Sequence, residues 1–303
     1  MRTRLNRLSL WRTELIQLVA LLAYVGVVEA IVAAAQPRLT GETLLLISLV
    51  LAVIPALLWM SMFYTQDRAE PEPRSFVLGV ALLGALLAGA VGLPLLNSFF
   101  RVSDWIGRDP LTQVLGSILV VGSLQAFLKY VAIRFSIFYS AEFDQRIDGV
   151  IYGSAVGLGY ATMLNIDFVV ASGGVDLGTG VVRIVITQMV QGSLGALIGY
   201  FLGRDKFDTR RVWWMSAGLV LAAVIDGLFT WLSGTLSRSP IHLVSDGTIS
   251  TGSAGYTPWP SLVLATILAA GLLGTIFILI GRDLRADSVS PTPVSQLQPE
   301  PVV

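Results

Sequence analysis

Lys129 and Asp226 stand inside long apolar stretches of this sequence, as do the amides Gln125, Asn165, Gln188 and Gln191. Glu29, Asp167 and Arg183 share that setting. Ionisable groups buried among apolar residues are costly and are usually functional. A carboxylate there can ligate a metal ion, act as a base toward water, or pair with a buried lysine. Asp226 is the expected partner of Lys129, because the long lysine stem can bridge a few ångströms of depth. Thiol chemistry is excluded: the chain has no cysteine, hence no disulfide, thiolate metal site or cysteine nucleophile. Its single histidine, His242, falls in a polar stretch rich in Ser, Gly and Thr.

The elements that must position these residues are membrane helices. Of 303 residues, 54% are hydrophobic and only 13% charged, and the mean hydropathy is +0.74. Apolar runs are long enough to span a hydrocarbon core, which takes roughly 20 residues per helix. The fold class expected is all-α: a polytopic bundle of about eight transmembrane helices, near 13–35, 43–64, 76–100, 111–138, 148–171, 180–203, 212–234 and 260–281. The first is too long for a signal-peptide core, and no small-residue cleavage site follows it before Pro37. Residues 1–12 form a basic inner segment, 13–285 the transmembrane domain, and 286–303 a Pro-rich tail expected to be disordered.

Lys and Arg placement sets the orientation. With the N-terminus inside, fourteen fall in inner segments, and only Arg38, Arg101, Arg108 and Arg238 in outer ones. Both termini are therefore expected to face the cytoplasm, in the cell membrane. Trp213 and Trp214, after Arg210 and Arg211, read as interface anchors. Membrane lipids are the obvious partners, and the zero net charge gives no reason to expect nucleic acid.

At about 1.5 Å rise per residue from the inner end of each span, Gln125 lies about 20 Å deep, Gln191 about 18 Å, Asp226 about 21 Å, Asn165 about 26 Å and Lys129 about 14 Å. Four helices thus bring polar groups to one layer. It can be a shared intramembrane site, or a hydrogen-bond network that fixes helix packing. Glu29, about 25 Å deep, is a further embedded acid, and Asp167 lies about 29 Å deep, about 8 Å off the level of Asp226. Asp167 and Arg183, both near outer span ends, can pair or reach the interface.

Gly149, Gly153 and Gly157 recur along one face of the fifth span, followed by Ala161, and Gly195 and Gly199 along one face of the sixth. Small residues let helix backbones approach closely in lipid. The fifth helix is therefore expected to be central, with a close neighbour.

Two further stretches carry a resemblance. "FYTQDRAEPEPR" (Phe63–Arg74) is an inner loop with prolines and alternating charges, and "FDQRIDGVIYGSAVGLGYATMLN" (Phe143–Asn165) contains the glycine face. In order and spacing they resemble the D…EPEP segment and the DG-x-x-YG-x-x-x-G-x-G-[FY] helix of the PrsW family of intramembrane proteases, over roughly residues 60–235. The resemblance implies a PrsW-like core, related more widely to CAAX-processing membrane proteases, and metal-dependent proteolysis of single-span membrane proteins.

The family's chemistry is expected at three motifs, EExxK, FxxxE and HxxxD, and here the sequence departs from it. Lys129 matches the lysine of the first, but its two glutamates would be Gln125 and Ala126. Tyr160 matches the aromatic of the second, whose glutamate would be Leu164, with Asn165 kept. The histidine of the third falls on Asp226 and its aspartate on Thr230. Gln191 takes a position that is often histidine in relatives. A catalytic zinc site needs three good ligands and an open position. Asp226 alone cannot supply them and a base as well.

The leading expectation is therefore a catalytically silent PrsW-like protein, without a cofactor, that acts by binding a single-span protein, a lipid or a larger membrane complex. A protease with rewired residues is the alternative. It would use Asp226 and Lys129, with zinc only if the family chemistry survives, or the pair Asp167 and Asp226, or Glu29 as an added acid. A transporter is the third reading, against which stands the lack of paired Gly/Pro-interrupted spans.

Overall fold

The computed structural model describes residues 7–66, 72–207, 213–237 and 257–289. The loop containing His242, the Arg210–Arg211 pair and most of the Pro-rich tail lie outside the described residues. Among those described, eight helices are long and apolar enough to cross a membrane, and there is no strand. They are α1 (Arg7–Ala35), α2 (Gly41–Gln66), α3 (span Arg74–Asp104), α4 (span Pro110–Ser136), α5 (Arg146–Ala171), α6 (Thr179–Phe207), α7 (Trp214–Leu236) and α8 (Trp259–Val289). The chain is a polytopic helical membrane protein. Its outward surface is apolar, with Leu82, Leu119 and Ile267 exposed toward lipid, and Trp213 is 80% exposed at the start of α7.

Helix starts follow from local sequence. Asp109, in extended conformation, accepts a hydrogen bond from the Thr112 amide at 2.8 Å, and Pro110 fills the first turn of α4, where a missing N–H is harmless. The two bonds from Thr112, side chain first, hold the Asp109 carboxyl below the usual carboxylate range. At the start of α5, Gln145 accepts from the Asp148 amide, while Asp148 Oδ2 accepts from the Gln145 amide at 2.6 Å. The reciprocal pair satisfies amides that the first turn leaves without partners.

α5 and α6 run antiparallel at backbone contact. A Cβ on Gly153 would lie 2.3 Å from the Gly195 carbonyl oxygen, and one on Gly199 1.7 Å from that of Gly149. Gly157 meets the Gln191 carbonyl in the same register. The opposite side of α5 packs on α3, where a Cβ on Gly159 would lie 1.7 Å from the Ala81 oxygen. α5 is therefore clamped between two helices, and α6 is buried along nearly its whole length.

Two spans leave regular α geometry. α3 passes through π-helical turns at Ala88–Gly92 and Leu95–Phe99, on either side of Pro94. Proline removes an amide donor, and a local π turn lets the freed carbonyls find other partners. α4 contains a π segment at Ser117–Gly122, where Gly122 abuts the Ala223 carbonyl and Gly227 of α7 abuts Ile118. α4 and α7 thus meet closely just before Gln125. Pro55 lies inside α2, which continues through it.

Candidate functional site

Gln125 and Lys129 follow the π segment of α4, four residues apart and so on one face. Both are buried, Lys129 to 1% exposure. The Lys129 ammonium lies 4.7 Å from the ring centroid of Tyr160 on α5, a distance at which the ring face attracts a cation. The charges of Lys129 and Asp226 on α7 act on each other. Gln191 Nε2 on α6 donates to Asp226 Oδ1 at 3.1 Å. Four helices therefore bring Gln125, Lys129, Tyr160, Gln191 and Asp226 into one layer. Gln125 Oε1, Tyr160 Oη, Gln191 Oε1 and Asp226 Oδ2 have no hydrogen-bond partner among the described residues. Buried acceptors and a buried hydroxyl without partners suit a polar group that carries both donor and acceptor.

The other expected residues fall around this layer. Ala126 packs into the main apolar core. Leu164 packs with Tyr160, Leu128 and Ala88, so a methyl-rich side chain occupies the place where an acid was expected. Asn165 donates to the Ile184 carbonyl at 3.1 Å and ties α5 to α6. Gln188 does the same through Thr162 Oγ1 at 3.0 Å. Thr230 is half-buried one turn beyond Asp226. The Arg183 guanidinium lies 3.5 Å from the ring centroid of Phe168.

Glu29 and Asp167 do not join Asp226. The Glu29 carboxylate lies beside Gly178, just before α6, whereas Gln191, which holds Asp226, is about 18 Å further along that helix. Gln191 faces Gly157, and Asp167 is ten residues from Gly157, about 15 Å along α5. Neither a two-aspartate dyad nor a Glu29–Asp226 pair forms.

A second cluster sits where the segment before α3 meets the start of α5 and the end of α6. Tyr152 donates to Glu72, the glutamate just before α3, and Asp148 stands four residues before Tyr152 on the same side of α5. Lys206 Nζ donates to the carbonyls of Phe138 and Phe143, at 2.6 Å each. Sequence reasoning found these residues only as motif letters. The signal was there in the two acids and one tyrosine spaced across EPEP and DG-x-x-Y, but nothing in one dimension brings residues 72 and 148 together.

Eight apolar spanning helices among the described residues, four of them meeting in a buried polar layer, place the chain among the polytopic helical membrane proteins. Residues 72–249, more than half of the chain, match the family described as PrsW family intramembrane metalloprotease, and the chain belongs to that family. It is 29% identical over 181 residues to Protease PrsW of Geobacillus kaustophilus, covering 59% of this chain and 76% of that one. Against Protease PrsW of Bacillus subtilis the identity is 29% over 188 residues, 61% of this chain and 82% of the relative. No solved structure matches.

The family description implies a metal, and the residues present in the layer do not fit one. Asp226 is its one carboxylate, Gln125 and Gln191 offer weak amide oxygens, and the Lys129 ammonium repels a cation. Among the described residues, no three His, Cys, Asp or Glu come together as a metal site. A divalent ion with three hard or borderline ligands and a bound water cannot be assembled from this donor set.

Proposed function

We propose that this protein is a PrsW-family member that has kept the family's bundle and lost its hydrolytic chemistry, and that it acts by binding a membrane-embedded partner. The observation that carries this reading is the charge arrangement of the layer. Its one carboxylate, Asp226, accepts from the Gln191 amide through Oδ1 and lies within the field of the Lys129 ammonium, with no ion pair within 4.0 Å between them. A base toward water must be free to take a proton, and a metal ligand must be free to point at the metal. Asp226 keeps one free oxygen, Oδ2, but a single carboxylate beside a buried cation cannot act as base and also complete a three-ligand metal site. The partner class is a single-span membrane protein or the subunit of a larger membrane complex, held through the polar layer and the lipid-facing helices. The protein lies in the cell membrane with both termini in the cytoplasm, as the Lys and Arg bias of the loops favours.

Metal analysis of the purified protein tests the lost chemistry. The wild type is expected to carry zinc well below one equivalent, and Asp226→Asn to leave that value unchanged. A variant that restores the family acids and histidine (Gln125→Glu, Ala126→Glu, Leu164→Glu and Gln191→His together) should gain metal. Stoichiometric zinc in the wild type, lost on Asp226→Asn, would overturn the reading.

A further inference from the structure

The bond from Tyr152 brings Glu72 to the first turns of α5, where Asp148 stands four residues before Tyr152, and the two carboxyls act on each other. Asp148 is fully buried. Its Oδ2 accepts from the amides of Asp144 and Gln145, at 3.0 and 2.6 Å, while its Oδ1 has no donor among the described residues. Glu72, half-buried, accepts from Tyr152. Two ionised carboxylates are acceptors only and cannot bond to each other. One proton between them turns the contact into a carboxyl–carboxylate hydrogen bond and gives Asp148 Oδ1 its donor.

Burial and neighbouring acids favour holding that proton, and the Lys206 cation opposes it. Glu142 and Asp144, from the turn between α4 and α5, add negative charge. Lys206 on α6 is a cation whose field reaches Asp148 and Asp144, and its ammonium is bound to the carbonyls of Phe138 and Phe143. Arg74 and Arg146, which open α3 and α5, are the other cations near the pair. Burial holds the Glu72 carboxyl above the usual carboxylate range, against the opposing pull of Tyr152 and Asp148.

We propose that Glu72 and Asp148 form a proton-binding site, in which one shared proton ties the inner loop before α3 to the first turn of α5 and Tyr152 orients Glu72. Loss of the proton leaves two adjacent carboxylates, and the tie loosens. The sign follows from linkage: the folded chain holds a proton that the unfolded chain releases at lower pH, so this contribution to stability falls as pH rises through the folded value. The two stretches that carry the family resemblance thereby become one physical device, independent of what the polar layer does.

The test uses the full-length protein in nanodiscs, with unfolding midpoints followed from about pH 5 to about pH 9. Glu72→Gln keeps the shape and supplies an amide donor at every pH. The wild-type midpoint should drop toward alkaline pH, and the Glu72→Gln profile should be flatter. Tyr152→Phe should keep the wild-type slope at a lower midpoint. Infrared difference spectra of the wild type should show a protonated carboxyl band at neutral pH that disappears on raising the pH and is absent in Glu72→Gln. Equal slopes in wild type and Glu72→Gln would overturn the proposal, and so would the absence of that band in the wild type.

Discussion

Lys129 and Asp226 are buried where an unbalanced charge is expensive, and the field of each reaches the other although no ion pair within 4.0 Å joins them. Removing one member of such a pair strands the other, at a cost of roughly 3 kcal/mol, whereas removing both with shape kept costs far less. Lys129→Met and Asp226→Asn should therefore each lower the unfolding midpoint strongly. The double variant should recover much of the loss, as a thermodynamic cycle on purified protein will measure. Additive losses would mean that the two residues do not sense each other. The absence of acids at residues 125, 126 and 164 was readable from the sequence, because motif spacing fixes those positions without any fold. The stacking of Lys129 over Tyr160 and the Gln191–Asp226 bond were not: depth along a helix places residues in a layer but does not say which way each faces. The same limit applies to Glu29. Its estimated depth allowed it a place near the layer, and the bundle puts it beside Gly178 instead.

Glycine spacing in α5 and α6 was legible as two smooth faces, and the register between them was not. Nor was the second clamp, since Gly159 lies off the Gly149–Gly153–Gly157 row and meets α3. Gly153→Val would drive a Cβ into the Gly195 carbonyl and should destabilise the bundle by at least about 2 kcal/mol. Gly79→Ala, on an open face of α3 with nothing within 4 Å, should stay within about 0.5 kcal/mol of wild type. Thermal unfolding of the two variants side by side measures the difference, and equal effects would contradict the clamp. The π turns around Pro94 and at Ser117–Gly122 had no sequence signal beyond a proline and small residues. They arise where α3 passes Tyr160 and α4 meets α7, so tertiary contact decides them. A Cβ on Gly92 would lie 2.6 Å from Tyr160 Oη, which makes Gly92→Ala a test of how tightly α3 holds that ring. It should lower the midpoint more than Gly79→Ala does.

At the scale of the whole molecule, hydropathy and length gave the eight helices because the bilayer imposes both, and loop charge gave the expected orientation. Reporter fusions at either end should read cytoplasmic, and a periplasmic signal from one of them would reverse or break that topology. Function was less legible, since a bundle that holds an active site and one that holds a partner share the same spans and the same close-packed glycines. The difference lies in a handful of side chains in one layer, where Asp226 is the one carboxylate among the described residues and lies in the field of Lys129. The most direct measurement is mass spectrometry of the single-span membrane proteins that co-purify with tagged wild type and with Asp226→Asn from the native membrane. Intact partners, without fragments cut inside their spans in either preparation, are the predicted result. Fragments cut within the membrane in the wild type, and missing from Asp226→Asn, would contradict it and establish a working protease.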